Sequence, residues 1–292
     1  MRKNHMLRAT RLAGVAAMFS LASCSRLAGI PAPSPGNTPA DYLAARPYLE
    51  LSVGGAEFIL TEPSSSVFIL VLGLLTIGLG AHFLRTRAGQ RSRFWWGLSF
   101  VAWGIGALLA GTSYQAFAYE IKSAGRAVSS WTSWWEIFYM LFTVASIGAM
   151  TMGVAHACAN GRLRKALTVY AVVDVALYFA VCLTGAFLPN KFLVSFELMV
   201  LFTWPGYVAF FVINVRRYIK SRTKLDRSLM VTWVSLFIVM GGYYVYLLSG
   251  LGEALWARGL WFNANDFLHV GLIGWMLYIR LKVSRELRDT GE

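Results

Sequence analysis

The sequence predicts an all-α membrane protein: a seven-transmembrane helix bundle with its N-terminus outside, its C-terminus cytoplasmic and a small extracytoplasmic β-hairpin before the first span. Three observations carry that expectation. Of 292 residues, 57% are hydrophobic and only 14% charged, a balance that a water-soluble domain of this size would struggle to keep off its surface. Seven stretches are apolar over the ~20 residues that a helix needs to cross roughly 30 Å of hydrocarbon. Basic residues also alternate between loops, with seventeen Lys and Arg on one side of the predicted spans and six on the other. Basic loops stay cytoplasmic, so the first span enters from outside. The same distribution explains the net charge of +13 as topology and contact with anionic lipid, and argues against nucleic acid as a partner.

The N-terminus reads as a leader. "MRKNHMLRATR" is a basic n-region, "LAGVAAMFSLAS" an apolar h-region, and "LASC" a lipoprotein-type cleavage box ending at Cys24. Residues 1–23 are therefore expected to be a signal peptide, with Cys24 lipidated and the chain anchored in a bacterial inner membrane. The alternative is an uncleaved extra span, which Arg26 would interrupt. Residues 24–66 form an extracytoplasmic linker and hairpin: "PAPSPGNTPA" is extended by its prolines, and "LELSV" and "AEFIL" flank Gly54-Gly55, a hairpin signal. Such a hairpin is marginal alone and has to lie against the helix ends.

The membrane domain is expected over 67–282, followed by a cytoplasmic tail at 283–292. Its spans fall near Val67–Leu84, Phe94–Gln115, Trp134–Ala157, Ala166–Leu188, Phe192–Val215, Leu229–Ser249 and Asn265–Ile279. Trp131, Trp134, Trp135, Trp256 and Trp261 are read as an outer aromatic belt and Trp95 and Trp96 as an inner one. Cys158 and Cys182 are read as small core residues.

Polar side chains at membrane depth are costly, so their positions point to function. Most lie in the outer third: Ser113, Tyr114 and Gln115 end the second span, Glu136 opens the third, Glu197 opens the fifth, and Asn265, Asp266 and His269 open the seventh. Asp174, in mid-span, is expected to face the bundle interior against Tyr178 or Tyr243. Asn265 and Asp266 each share a helix face with His269. Asp266 and His269, joined by Glu136, could hold a metal ion. A helix-start aspartate beside a hydrogen-bonded histidine accounts for the same residues.

The order of these pieces resembles the CREST superfamily, the seven-span membrane hydrolases and receptors that include alkaline ceramidases and adiponectin-receptor-like proteins. That family has a serine and a histidine at the end of the second span, an acid opening the third, and His-x-x-x-His on the seventh. Ser113 and Glu136 match the serine and the acid. Gln115 and Asn265 stand where two of the three histidines belong, and His269 occupies the remaining place. The resemblance implies zinc-dependent hydrolysis of a lipid amide or ester, with Ser113 and Glu136 as the catalytic candidates. Amides are poor zinc ligands, so either carboxylates from Asp266, Glu136 and Glu197 rebuild the site or the metal is lost. The second is favoured: no cofactor, and a polar pocket of Tyr114, Gln115, Glu197, Asn265, Asp266 and His269 that takes a lipid or a small molecule. A haem carrier resting on His82 and His156 and a transporter with a broken span at Pro205 are the remaining readings. A retinal protein is excluded, because no lysine lies between Asn265 and Ile279.

Overall fold

The computed structural model describes residues 27–30, 32 and 38–290; the expected signal peptide and Cys24 lie outside these residues. Seven helices are long and apolar enough to cross a membrane, and the chain is a multi-pass, helical membrane protein. Short helix α1 (Pro39–Ala44) leads into strands β1 (Tyr48–Val53) and β2 (Ala56–Thr61), which pair antiparallel from Tyr48 opposite Thr61 to Val53 opposite Ala56. Gly54 and Gly55 take positive φ in the turn, the backbone that a tight hairpin requires. The spans are α2 (Pro63–Arg85), α3 (Arg91–Ala110), α5 (Trp134–Cys158), α6 (Gly161–Phe187), α7 (Phe196–Ser221), α8 (Lys224–Leu248) and α10 (Ala264–Tyr278). Between them lie the short helices α4 (Ala118–Lys122) and α9 (Leu251–Trp256). Two wide π-turns extend α3 through Gly111–Ala116 and α10 through Ile279–Val283.

Six spans close a ring in the order α2, α3, α5, α7, α8, α10 and back to α2, while α6 packs mainly on the outside of α5. The seam between α2 and α3 is built on glycine. A methyl group on Gly80 would stand 2.7 Å from the Gly97 carbonyl oxygen, and one on Gly104 would stand 2.7 Å from that of Gly73. Small residues in register let two membrane helices approach this closely. Inside the ring, toward the basic end, lies an aromatic stack. The rings of Phe210 and Trp233 are 5.0 Å apart, Trp233 and Trp96 6.3 Å, and Trp233 and Trp275 6.4 Å. Trp96 is fully buried in this stack and so is no interfacial belt residue, because its helix turns it toward Trp233 rather than outward. Asp174 also departs from expectation. It lies on peripheral α6, half-buried, with no hydrogen bond or ion pair to Tyr178 or Tyr243 among the described residues. Cys158 and Cys182 are free and buried, as their apolar settings led us to expect.

Residues 283–290 of the segment read as a tail pack against the bundle. Val283 and Leu287 are fully buried, and the chain folds back across the basic end. Asp289 accepts hydrogen bonds from the backbone N–H groups of Arg91 (2.8 Å) and Ser92 (2.7 Å), while Thr290 donates to the His156 carbonyl. The first turn of α3 has no cap from its own Gln90 side chain, so the C-terminal segment supplies it. Burial alone would raise the Asp289 carboxyl, but the bonds from Ser92 and Arg91 more than offset it, and its pKa lies below the ordinary 3.8. A lowered acid pKa means that the cap is intact at neutral pH and is lost only as pH falls below about 4. Asp289→Ala is expected to cost about 1–2 kcal/mol, read as a lower melting temperature of the purified chain at pH 7. The deficit should shrink as the pH is lowered through the ordinary carboxylate value and below it.

Candidate functional site

Polar side chains gather at the hairpin end in two nests and one cleft. The first nest joins the N-termini of the first and last spans. Asn263 caps α10, its Oδ1 accepting from the backbone N–H groups of Asn265 (2.8 Å) and Asp266 (3.1 Å). Asp266 returns the favour by accepting from the Asn263 N–H at 2.7 Å, which completes a capping box and satisfies donors that a helix start leaves open. The fully buried Asp266 carboxylate also accepts from Ser64 Oγ at 2.9 Å and Ser65 Oγ at 2.8 Å, both on α2. The single Ser65 hydroxyl proton is shared with Asn263 Oδ1, 3.0 Å away. One turn deeper, His269 is buried, and its Nδ1 has no hydrogen-bond partner among the described residues.

The second nest lies where α3, α4 and α5 meet. Lys122 Nζ stands 2.8 Å from Glu136 Oε1, with both residues buried. Ser113 Oγ donates to the same oxygen at 2.8 Å and lies 2.9 Å from Ser133 Oγ. The π-turn is what makes this possible: its wider winding brings both Ser113 and Gln115 to the inside within three residues. Such single π-turns recur at functional positions. The lysine also lies 4.9 Å from the centre of the Tyr114 ring. The hairpin roofs this region, with Thr61 Oγ1 donating to the Gln115 carbonyl, the Ile59 N–H donating to Glu120 at 2.9 Å, and Phe58 5.7 Å from Phe117.

The cleft, of about 270 Å³, opens between the start of β1, the top of α8, α9 and the start of α10. Its lining combines Arg46, Glu62 and Glu253 with Asn265, Tyr243, Tyr246, Trp256 and Trp261. Glu62, the residue before α2, holds a left-handed backbone with φ of 45°. Non-glycine residues pay strain for that conformation, and such strain collects at binding sites. Its carboxylate accepts from Asn263 Nδ2 at 3.2 Å and lies 3.8 Å from Arg46. Burial pushes the Glu62 carboxyl above its usual value, with Arg46 and Asn263 opposing the rise.

Of the residues singled out in the sequence, the structure brings Ser113, Tyr114 and Glu136 together and places Asn265 in the cleft wall. Asp266 lies just beneath that wall. Glu197 is exposed on the first turn of α7 and does not line the cleft, because it lies on the outward side of that turn while Leu198 and Met199 pack inward. Asp266 and Glu136 are committed to different partners, and no three His, Cys, Asp or Glu residues among those described stand close enough to hold a metal. His82 and His156 are half-buried at the opposite, basic end. Reading the sequence missed Lys122, whose position in a loop hid its burial, and Ser64 and Ser65, which precede the apolar run.

A family model described as a family of unknown function, DUF6962, matches residues 65–288. The chain belongs to that family. The match begins at Ser65, one of the two serines that hold Asp266, and ends at Arg288, next to the Asp289 cap, so it covers the seven spans apart from Pro63 and Ser64. The hairpin lies before it. No curated protein and no solved structure matches the chain.

The Lys122–Glu136 pair makes a clear stability prediction. Removing one partner of a buried ion pair leaves a stranded charge at a cost of about 3–5 kcal/mol, whereas replacing both by apolar residues is often neutral. Glu136→Leu alone should therefore lower the melting temperature strongly, and Lys122→Met combined with Glu136→Leu should recover most of the loss.

Proposed function

We propose that this DUF6962 chain is a lipid-anchored protein of a bacterial inner membrane whose hairpin-end cleft faces outward and binds a lipid or a small molecule. On this reading it is a degenerate relative of the CREST-type hydrolases. The observation that carries the reading is the cleft itself: about 270 Å³ of space bounded by charged, amide and aromatic side chains at one end of the bundle. Binding sites are concave and mostly apolar, with a few fixed polar groups. The outward placement rests on the alternation of basic loops, since the hairpin lies at the end with fewer Lys and Arg. The anchor rests on the "LASC" box before the proline-rich linker. The loss of the hydrolytic metal is supported by Gln115 and Asn265 in histidine positions and by the serine and capping bonds that already occupy Asp266.

A metal-dependent hydrolase of a lipid amide or ester is the second reading. It is favoured by one contact, the 2.8 Å hydrogen bond from buried Ser113 to Glu136, which keeps the family's serine and acid side by side.

Native mass spectrometry of the full chain released from detergent tests both readings. A binding protein should retain one lipid or small molecule per chain, and Ala264→Trp, which sets a bulky ring into the cleft wall, should remove it. Retention unaffected by that substitution, or none in the wild type, contradicts the proposal. One zinc ion per wild-type chain would favour the hydrolase.

A further inference from the structure

The electrostatics of the cleft narrow the chemistry of its occupant. Arg46 is the one base in its lining, and it is already engaged. Its guanidinium lies 3.7 Å from the centre of the Tyr42 ring, its Nε donates to the Tyr42 carbonyl at 3.0 Å, and Glu62 is 3.8 Å away. Two carboxylates, Glu62 and Glu253, share the lining with that single cation. Glu253 is exposed on α9 and pairs with no base among the described residues. Around the acids stand Tyr243, Tyr246, Trp256 and Trp261. Tyr246 is fixed in place: its hydroxyl donates to the Phe262 carbonyl at 2.8 Å, and its ring stacks 5.6 Å from Phe267. An interfacial aromatic belt explains tryptophans near a membrane surface, but it does not explain why two of them share a cavity wall with an unpaired carboxylate.

We infer that the cleft binds an organic ammonium group, held by Glu253 and Glu62 and by the aromatic side chains of Trp256 and Trp261. This rests on the ligand-binding reading above and adds the class of ligand. The physical case is simple. A cation near aromatic faces gains electrostatic attraction from the ring quadrupole, and the gain grows when the cation is partly desolvated. A surplus of negative charge at the same place adds to it and disfavours anions. The cleft also runs from charged groups at Arg46 and Glu62 to the exposed apolar Leu247 on α8. An amine carried on a membrane lipid fits that gradient, and a free amine satisfies the charged part alone.

The test uses the full chain in detergent with four probes: phosphatidylethanolamine, phosphatidylglycerol, free ethanolamine and free choline. Native mass spectrometry should show the amine lipid retained in preference to the anionic one. Glu253→Gln and Trp256→Ala should each weaken that retention on the order of tenfold and leave the residual phosphatidylglycerol signal unchanged. Glu253 is exposed, so its substitution leaves the packed nests intact. Displacement of the lipid by ethanolamine or choline at comparable concentration supports a soluble amine as the source; displacement only at great excess supports the lipid. Equal retention of both lipids, indifferent to Glu253→Gln and Trp256→Ala, overturns the inference. If Ala264→Trp still abolishes that equal retention, the cleft binds lipid without selecting ammonium, and the broader reading stands. If no probe is retained, both fall.

Discussion

The interaction on which the rest of the structure depends is the grip of α2 on the first turn of α10, made by Ser64 and Ser65 on the carboxylate of Asp266. An unpaired carboxylate buried at a helix start would be costly, and an uncapped helix start would leave its N–H groups open. Here each solves the other's problem: Asp266 satisfies the Asn263 N–H, Asn263 satisfies two more N–H groups, and the serines complete the set. Because α2 and α10 are the first and last spans, this contact closes the ring of six helices. It also fixes the chain at 62–65 and 263–265, which forms one wall of the cleft. At the opposite end, Asp289 caps α3, so the C-terminal segment closes the bundle where the serines cannot reach.

The proposed function rests on what this closure leaves over. The two nests are largely self-satisfied: Glu136 is taken up by Lys122 and Ser113, and Asp266 by its serines and Asn263. Buried networks of this kind fix a unique arrangement when their members are paired. On the proposed function, the chemistry left for an incoming molecule lies one layer farther out, in Glu62, Glu253 and the aromatic wall. Under that proposal, a ligand would reach the cleft without any need to open the bundle.

Much of the fold was legible in the sequence because hydropathy is a local property. The seven spans lie within a few residues of their apolar runs, and their extra turns, such as Gly161–Leu163 ahead of Ala166, are polar or basic helix ends beyond the hydrocarbon-like core. The peripheral place of α6 was not legible. It depends on which helices touch, and the apolar composition of α6 resembles that of its buried neighbours. Packing of the last residues was hidden for the same reason: Val283 and Leu287 are too few to register as a buried segment, and only the fold brings Asp289 to Ser92. In the site, "NAND" carried a capping signature, Asn263 followed three residues later by Asp266, alongside the Asp-x-x-His pattern that suggested metal. The structure supplies the partners that decide how Asp266 is used. Lys122 was counted among loop charges, because nothing in "YEIKSAG" foretells that a five-residue helix turns it inward to Glu136.

The central claim, that Asp266 ties the first and last spans together, is tested most directly by a double-mutant cycle on thermal unfolding of the purified chain. The four proteins are the wild type, Ser65→Ala, Asp266→Ala and the double variant. Groups in direct contact show coupling energies of about 0.5–3 kcal/mol. The account predicts a coupling within that range: Ser65→Ala should cost clearly less once Asp266 is gone, because its main acceptor is missing. Strict additivity of the two losses, or an Asp266→Ala variant as stable as the wild type, would contradict it.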